Sequence, residues 1–305
     1  MFGDSLAIIR YHIVLVAMAA ALVFGWLEKG TYAWGLTLVV GLDWFLVNLL
    51  NRVTDVEEDL ANGIRGTERV ARSKRAVAVL AWALLVGSFA LTHWIWPALT
   101  PWRVAVQLIG MAYNYRVVPT LRGLRRFKEL YFFKNFMSAV IFVLTCFVYP
   151  HVAAAGATTM SALAYAWLAV FFVPFELTYE VLYDLRDLEG DRQEGVPTYP
   201  VVHGVSTALG IVDALLVGSA LVLVVGLATG VLGLREGLML AAPSIQWAFV
   251  RHRTQRLPDG RRTATLSSRD CIGLTHLGTA LLLLYLVGTA VWRAAGMPEN
   301  IYLVG

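Results

Sequence analysis

The chain has 305 residues, 58% hydrophobic and only 15% charged, with a mean hydropathy of +0.65, whereas soluble domains carry nearer a quarter charged residues. That balance excludes an ordinary water-soluble domain. The formal net charge of +4 does not point to nucleic acid, because the cations gather in particular loops in the way membrane topology demands.

Apolar runs near the roughly 20 residues needed to cross a bilayer predict nine spans, at 8–27, 32–50, 76–96, 102–118, 130–150, 161–183, 205–232, 237–250 and 271–292. The eighth is short and the seventh long enough to tilt. The first run contains Ala17-Met18-Ala19, which mimics a cleavage site, yet it is long and lacks a strongly basic lead. It is read as a retained span rather than a signal.

Lys and Arg concentrate in loops 51–75, 116–129, 184–204 and 251–270, while the opposite connections hold only Lys29, Arg103 and Arg235. By the positive-inside rule these four loops and the N-terminus are cytoplasmic and the C-terminus lies outside. The expectation is a multi-pass integral protein, of the cytoplasmic membrane if the source is a bacterium. No linker or low-complexity tract divides it, so residues 1–305 are read as a single transmembrane domain, with no obligatory protein partner evident. Cys146 and Cys271 fall in different spans and are read as packing residues. His12 and His276 have no second ligand at helical spacing, and Gly226-x3-Gly230 is a close-approach motif for a neighbouring helix.

The second span runs into Asn51, Asp55 and Asp59, and the sixth into Asp184, Asp187 and Asp191. If each span continues as a helix, every set shares one face, at i, i+4, i+8 and at i, i+3, i+7. Asp55, Asp59 and Gly63 each stand 132 residues from Asp187, Asp191 and Gly195, as a diverged repeat would place them; a chance match of two acidic loops would look the same.

Carboxylate and amide oxygens suit Mg²⁺, a hard cation that binds one or two carboxylates together with substrate phosphates. Without a counter-ion such clustered carboxylates would repel one another. Cations on the same side, Arg65, Arg122, Arg125, Arg126, Lys128 and Lys134, and Arg10 at the start of the first span, would pair with a diphosphate. Charge developing on a diphosphate oxygen held in this way is stabilised as the C–O bond breaks. An EF-hand is excluded, since Asp187, Glu189, Gly190 and Asp191 do not follow its loop pattern. A cation transporter would place its acids near the bilayer midplane on broken helices, whereas these abut span ends, and a scaffold without chemistry would tolerate Asp→Asn changes.

Asn51-x3-Asp55-x3-Asp59 and Asp184-x2-Asp187-x3-Asp191, followed by Thr198-Tyr-Pro-Val-Val-His-Gly204, resemble the UbiA prenyltransferase superfamily, with a likeness that covers essentially the whole chain. The resemblance implies an all-α, polytopic, nine-transmembrane-helix bundle in which both Asp-rich motifs bind Mg²⁺ and an isoprenyl diphosphate. Asn51, Asp55, Asp59, Asp184, Asp187 and Asp191 are then the metal ligands, with Asp55, Asp59, Asp187 and Asp191 the catalytic acids. Arg10, Arg65, Tyr115, Arg116, Arg122, Lys128 and Lys134 are expected at the diphosphate. Arg52 stands where family members often have Asp, and Tyr113, Tyr115 and Arg116 stand where they often have Tyr and Lys. The expected activity is transfer of a prenyl group to an aromatic or lipid acceptor. The alternative is a membrane terpene cyclase that uses no acceptor.

Overall fold

The computed structural model describes residues 8–297 other than 62, 132, 155 and 157, with backbone alone at 58 and 61. In chain order the helices are α1 (Tyr11–Lys29), α2 (Trp34–Thr54), α3 (Val56–Ala61), α4 (Thr67–Arg72), α5 (Lys74–Ile95), α6 (Thr100–Asn114) and α7 (Phe133–Ala154). They continue with α8 (Ala162–Arg186), α9 (Leu188–Gln193), α10 (Tyr199–His203), α11 (Val205–Ala228), α12 (Ala241–Arg253) and α13 (Ser268–Ala294). Two antiparallel hairpins, β1 (Val118–Thr120) with β2 (Gly123–Arg125) and β3 (Thr254–Arg256) with β4 (Arg262–Ala264), are the strands among the described residues.

Each of the nine predicted spans contains a helix, but seven are long and apolar enough to cross a bilayer: α1, α2, α5, α7, α8, α11 and α13. The fourth and eighth predictions become α6, of 15 residues, and α12, of 13. Tighter helical turns lead into both, Pro97–Leu99 and Leu234–Leu240; the second takes the start of the eighth span, whereas α6 is cut at its far end, where Tyr115 turns extended. Pro97 opens the first of these, where a missing N–H costs nothing. Side chains set the starts of α8 and α13: Ser161 accepts from the Ala164 amide at the head of α8, and Ser267 with Asp270 forms a capping box on α13.

Helices α1, α2, α7, α8, α11 and α13 share one apolar core, while Val79, Val86, Trp94 and Leu284 point outward, Trp94 at 82% exposure. An outward face of that kind belongs against lipid. Cys146 and Cys271 are buried free thiols, in keeping with a packing role.

Arg103 is not the loop charge that the topology count assumed. It lies in α6, fully buried, with Nη2 2.5 Å from Asp43 Oδ1 and Nε 2.9 Å from Asp43 Oδ2; Gln107 and Tyr149 also donate to Asp43. A bilayer interior tolerates a carboxylate on such terms, paired and with its oxygens hydrogen-bonded.

The 132-residue echo is a repeat of backbone as well as of letters. Helix α2 ends at Thr54 and α8 at Arg186; the short helices α3 and α9 follow at the same offset. Asp59 N–H bonds to Asp55 O at 2.8 Å and Asp191 N–H to Asp187 O at 2.9 Å; Ile64 then bonds back to Asp59 O and Val196 to Asp191 O, both at 2.8 Å. Gly63 and Gly195 close the two turns at φ 62° and 67°, a left-handed conformation that glycine adopts without penalty.

Gly226 of the Gly226-x3-Gly230 pair is the close-approach site: an added Cβ would sit 2.6 Å from Trp167 Nε1 of α8. That indole donates to Val222 O at 2.7 Å. Gly230, at φ 73°, turns the chain after α11 instead.

Candidate functional site

Both acidic motifs sit where a spanning helix breaks. Asp55 is the cap residue of α2 and Asp187 that of α8, each bonded back by its amide, to Asn51 O at 2.9 Å and to Tyr183 O at 3.0 Å. The acids therefore do not lie along one continuous helical face, as the spacing suggested. The chain bends at each cap, and the bend lets residues before and after it face the same space. Asn51, Asp55, Asp59, Asp184, Asp187 and Asp191 all line one cavity of about 490 Å³.

Each acid has a cationic partner. Asp55 Oδ1 lies 2.8 Å from Lys128 Nζ and 3.1 Å from Arg126 Nη1, and Asn51 donates to its other oxygen. Asp59 Oδ2 is 2.6 Å from Arg52 Nη1, and Asp59 Oδ1 is 3.7 Å from Arg10 Nη2. In the second motif Lys134 bridges Asp184 and Asp191, reaching the latter at 3.2 Å, while Asn135 donates to Asp184 at 2.7 Å. Arg186 grips Asp187.

Lys128 and Arg126 arrive on the segment after the β1–β2 hairpin, whose turn at Phe127–Glu129 drives the Lys128 side chain inward. Arg10 holds the left-handed backbone conformation, at φ 46°, which costs an ordinary side chain energy and recurs at functional sites.

Burial pushes the Asp191 carboxyl up to about 6; Lys134 opposes the shift, and the charges of Asp184 and Asp187 add to it. Its Oδ1 is shut off from solvent without a hydrogen-bond partner. Among the described residues no three acids converge at ligand distance, because a cation stands between neighbours. The donor set is nonetheless that of a hard divalent ion: carboxylate and amide oxygens, one of them orphaned.

Below the acids the walls turn apolar and aromatic: Trp44 from α2, Phe142 from α7, Phe171, Phe172, Phe175 and Tyr179 from α8, Leu282 and Tyr285 from α13. Trp44 is fixed by its indole, which donates to Thr145 at 3.0 Å where α7 loosens into a π turn. Leu238, Ile245 and Leu284 line the cavity and are also 41%, 39% and 61% exposed. The cavity thus opens on the apolar flank between α13 and the segment that leads through α12.

Of the expected diphosphate residues, Arg10, Lys128 and Lys134 line the cavity, whereas Arg65, Tyr115, Arg116 and Arg122 do not. Arg116 is largely exposed and pairs with Glu129 at 3.0 Å. Glu129 is held below the usual carboxylate range despite some burial, by hydrogen bonds from Arg116 and Arg126. Arg122 stands at the hairpin turn and Arg65 on an exposed connection. Arg126 and Arg186, each on a motif acid, and the lining Tyr113 complete the site. Arg186 sits inside the second motif, and its position next to Asp187 was the available signal. His276 is taken up by Tyr11, at 2.8 Å, and His12 is buried against Tyr183.

The sequence model of the UbiA prenyltransferase family matches residues 11–269. The fold is shared with a UbiA homolog from Archaeoglobus fulgidus bound to GPP and Mg²⁺, at 18% identity and a TM-score of 0.69, over 94% of this chain and 99% of that one. The same homolog bound to DMAPP and Mg²⁺ gives 18% identity and 0.68, over 94% and 98%. A digeranylgeranylglyceryl phosphate synthase gives 14% identity and 0.56, over 95% and 97%. A search of curated protein sequences finds no match.

Proposed function

This chain belongs to the UbiA prenyltransferase family, and from that premise we propose that it ionises an isoprenyl diphosphate in a Mg²⁺-dependent step and transfers the prenyl group to an aromatic or lipid acceptor. The observation that carries the reading is the single cavity that joins six oxygen-bearing motif residues at one end to an aromatic, lipid-open channel at the other. A diphosphate head and an isoprenoid tail have that same division. The Archaeoglobus fulgidus relatives, solved with GPP or DMAPP and Mg²⁺, support the choice of donor and ion.

In this reading Asn51, Asp55, Asp59, Asp184, Asp187 and Asp191 hold Mg²⁺, which when bound neutralises charge on the leaving diphosphate. Lys128, Arg126, Lys134 and Arg10, which pair with the acids in the structure, are placed to turn onto phosphate oxygens. The aromatic walls exclude water and face the allylic cation with their π surfaces. Residues 1–305 act as one domain, with the N-terminus and the Asp-rich turns on the cytoplasmic side.

The aromatic lining also favours a second reading, a cyclase in which the cation closes on its own double bonds. One experiment separates them. The purified protein in detergent is given geranyl, farnesyl or geranylgeranyl diphosphate, with and without Mg²⁺ and with phenolic or lipid-alcohol acceptors, and diphosphate and organic products are measured. Release that requires an acceptor establishes the transferase. A hydrocarbon or alcohol formed without one establishes the cyclase, and no release under any condition rejects both.

A further inference from the structure

Two carboxyl groups lie in the cavity below the acidic motifs. Glu176 and Glu180 precede Asp184 on α8 by two turns and one, and both line the cavity. At a rise of 1.5 Å per residue they sit about 12 and 6 Å along the axis from Asp184, on the side where the tail runs. Ser138 of α7 donates to Glu176 Oε1 at 2.7 Å, and Glu176 Oε2 is shut off from solvent with no hydrogen-bond partner. Among the described residues neither carboxyl forms an ion pair with a lysine or arginine.

The contrast with Asp43 is informative. There the protein needs a carboxylate only for architecture, and it surrounds it with Arg103, Gln107 and Tyr149. Glu176 and Glu180 have the Ser138 hydroxyl beside them but no cation at ion-pair distance, although a carboxyl without a counter-charge is costly to keep inside a membrane and is retained where it has work to do. A prenyl tail alone has no polar group to offer them.

We propose that Glu176 and Glu180 are the proton-accepting station of the reaction, an assignment that rests on the prenyl-transfer reading above. The donor C–O bond breaks with its electron pair leaving on the diphosphate, and the acceptor's nucleophilic atom forms the new bond to the prenyl C1. The proton displaced from that acceptor passes to a glutamate oxygen and from there to water at the acidic rim. The acceptor end that reaches this station is therefore an uncharged group with a transferable proton, a hydroxyl or a phenol ring. A carboxylate or phosphate at that end would be repelled by the glutamates.

The test uses the full-length protein in detergent with farnesyl and geranylgeranyl diphosphates, Mg²⁺, and a hydroquinone or a long-chain alcohol as acceptor. Wild type is compared with Glu176→Gln, Glu180→Gln and the double variant. General-base catalysis contributes about 10²-fold or more, so the double variant is expected to lose at least about 100-fold in kcat for every organic product formed. Its affinity for the non-reacting analogue geranyl S-thiolodiphosphate should remain within about twofold, which also shows that it has folded; the single variants serve if the double does not bind. Wild-type turnover with variants that bind the analogue and lose less than threefold in kcat overturns this assignment and leaves prenyl transfer standing. Absence of any Mg²⁺-dependent diphosphate release from wild type overturns prenyl transfer and this assignment with it.

Discussion

Lys128 places its ammonium nitrogen 2.8 Å from Asp55 Oδ1, so the first acidic motif receives its counter-charge from the segment that follows a hairpin far downstream. The same arrangement recurs at the second motif, where Lys134 serves Asp184 and Asp191. Cations that compensate the acids before ligand arrives are also the groups a diphosphate would recruit.

If the motif acids hold the metal, replacing one in each motif removes charge stabilisation made as the diphosphate leaves. Asp55→Asn and Asp187→Asn are each expected to lower kcat for diphosphate release by about 10²-fold or more. A steady-state release assay against wild type checks this; activity within a few-fold of wild type would show that these acids do not serve the reaction.

Lys134 is a different kind of residue, because its removal strands two buried carboxylates at once. Lys134→Met should destabilise the ligand-free protein by about 3–5 kcal/mol, as breaking a buried pair generally does. Thermal unfolding in detergent measures the loss, and Mg²⁺ alone, which compensates the stranded carboxylates, should restore more of the variant's stability than of the wild type's.

Asp191 predicts a pH dependence. Its carboxyl titrates near 6 in the folded protein, above the value of about 3.9 for an unfolded chain. The folded state thus binds this proton more tightly than the unfolded one. The resulting stability is fully present below about pH 4 and is lost as pH rises through about 6 in the ion-free protein. A divalent ion needs the deprotonated form, so Mg²⁺ affinity should climb from pH 5 to pH 7. Mg²⁺ titrations at the two pH values check it, and Asp191→Asn should flatten the difference.

Arg103→Met should cost about 3–5 kcal/mol, since it leaves Asp43 buried without its cation. Chemical or thermal denaturation measures the loss. Neither Arg103 nor Asp43 lines the cavity, so the donor KM of the protein that remains folded should stay within about twofold.

The sequence showed the acidic motifs, the basic loops and the membrane class because each depends on residues close together in the chain. Helix number by length was less legible: α6 stops at Asn114, where Tyr115 turns extended, and the Leu234–Leu240 turn takes the start of the eighth span while the surrounding letters stay apolar. The bend at Asp55 and Asp187 was hidden for a related reason, since i, i+4 spacing reads the same whether a helix continues or restarts after a cap. Which cations serve the site depended on tertiary folding. Arg122 and Lys128 look equivalent in a basic loop, yet a hairpin turns one toward solvent and the other into the cavity. Glu176 and Glu180 stand in plain view in the sixth predicted span, but that they line a cavity with the motif acids depends on helices distant in sequence.

The flank at Leu238, Ile245 and Leu284 has a consequence for how the protein meets its substrates. A molecule entering there comes sideways out of the bilayer, so occupancy is governed by its mole fraction in the membrane rather than its molarity in water. For such a protein the surrounding lipid is part of the reaction medium. Diluting the substrate with inert lipid, at constant bulk amount, acts on it as dilution with buffer acts on a soluble enzyme.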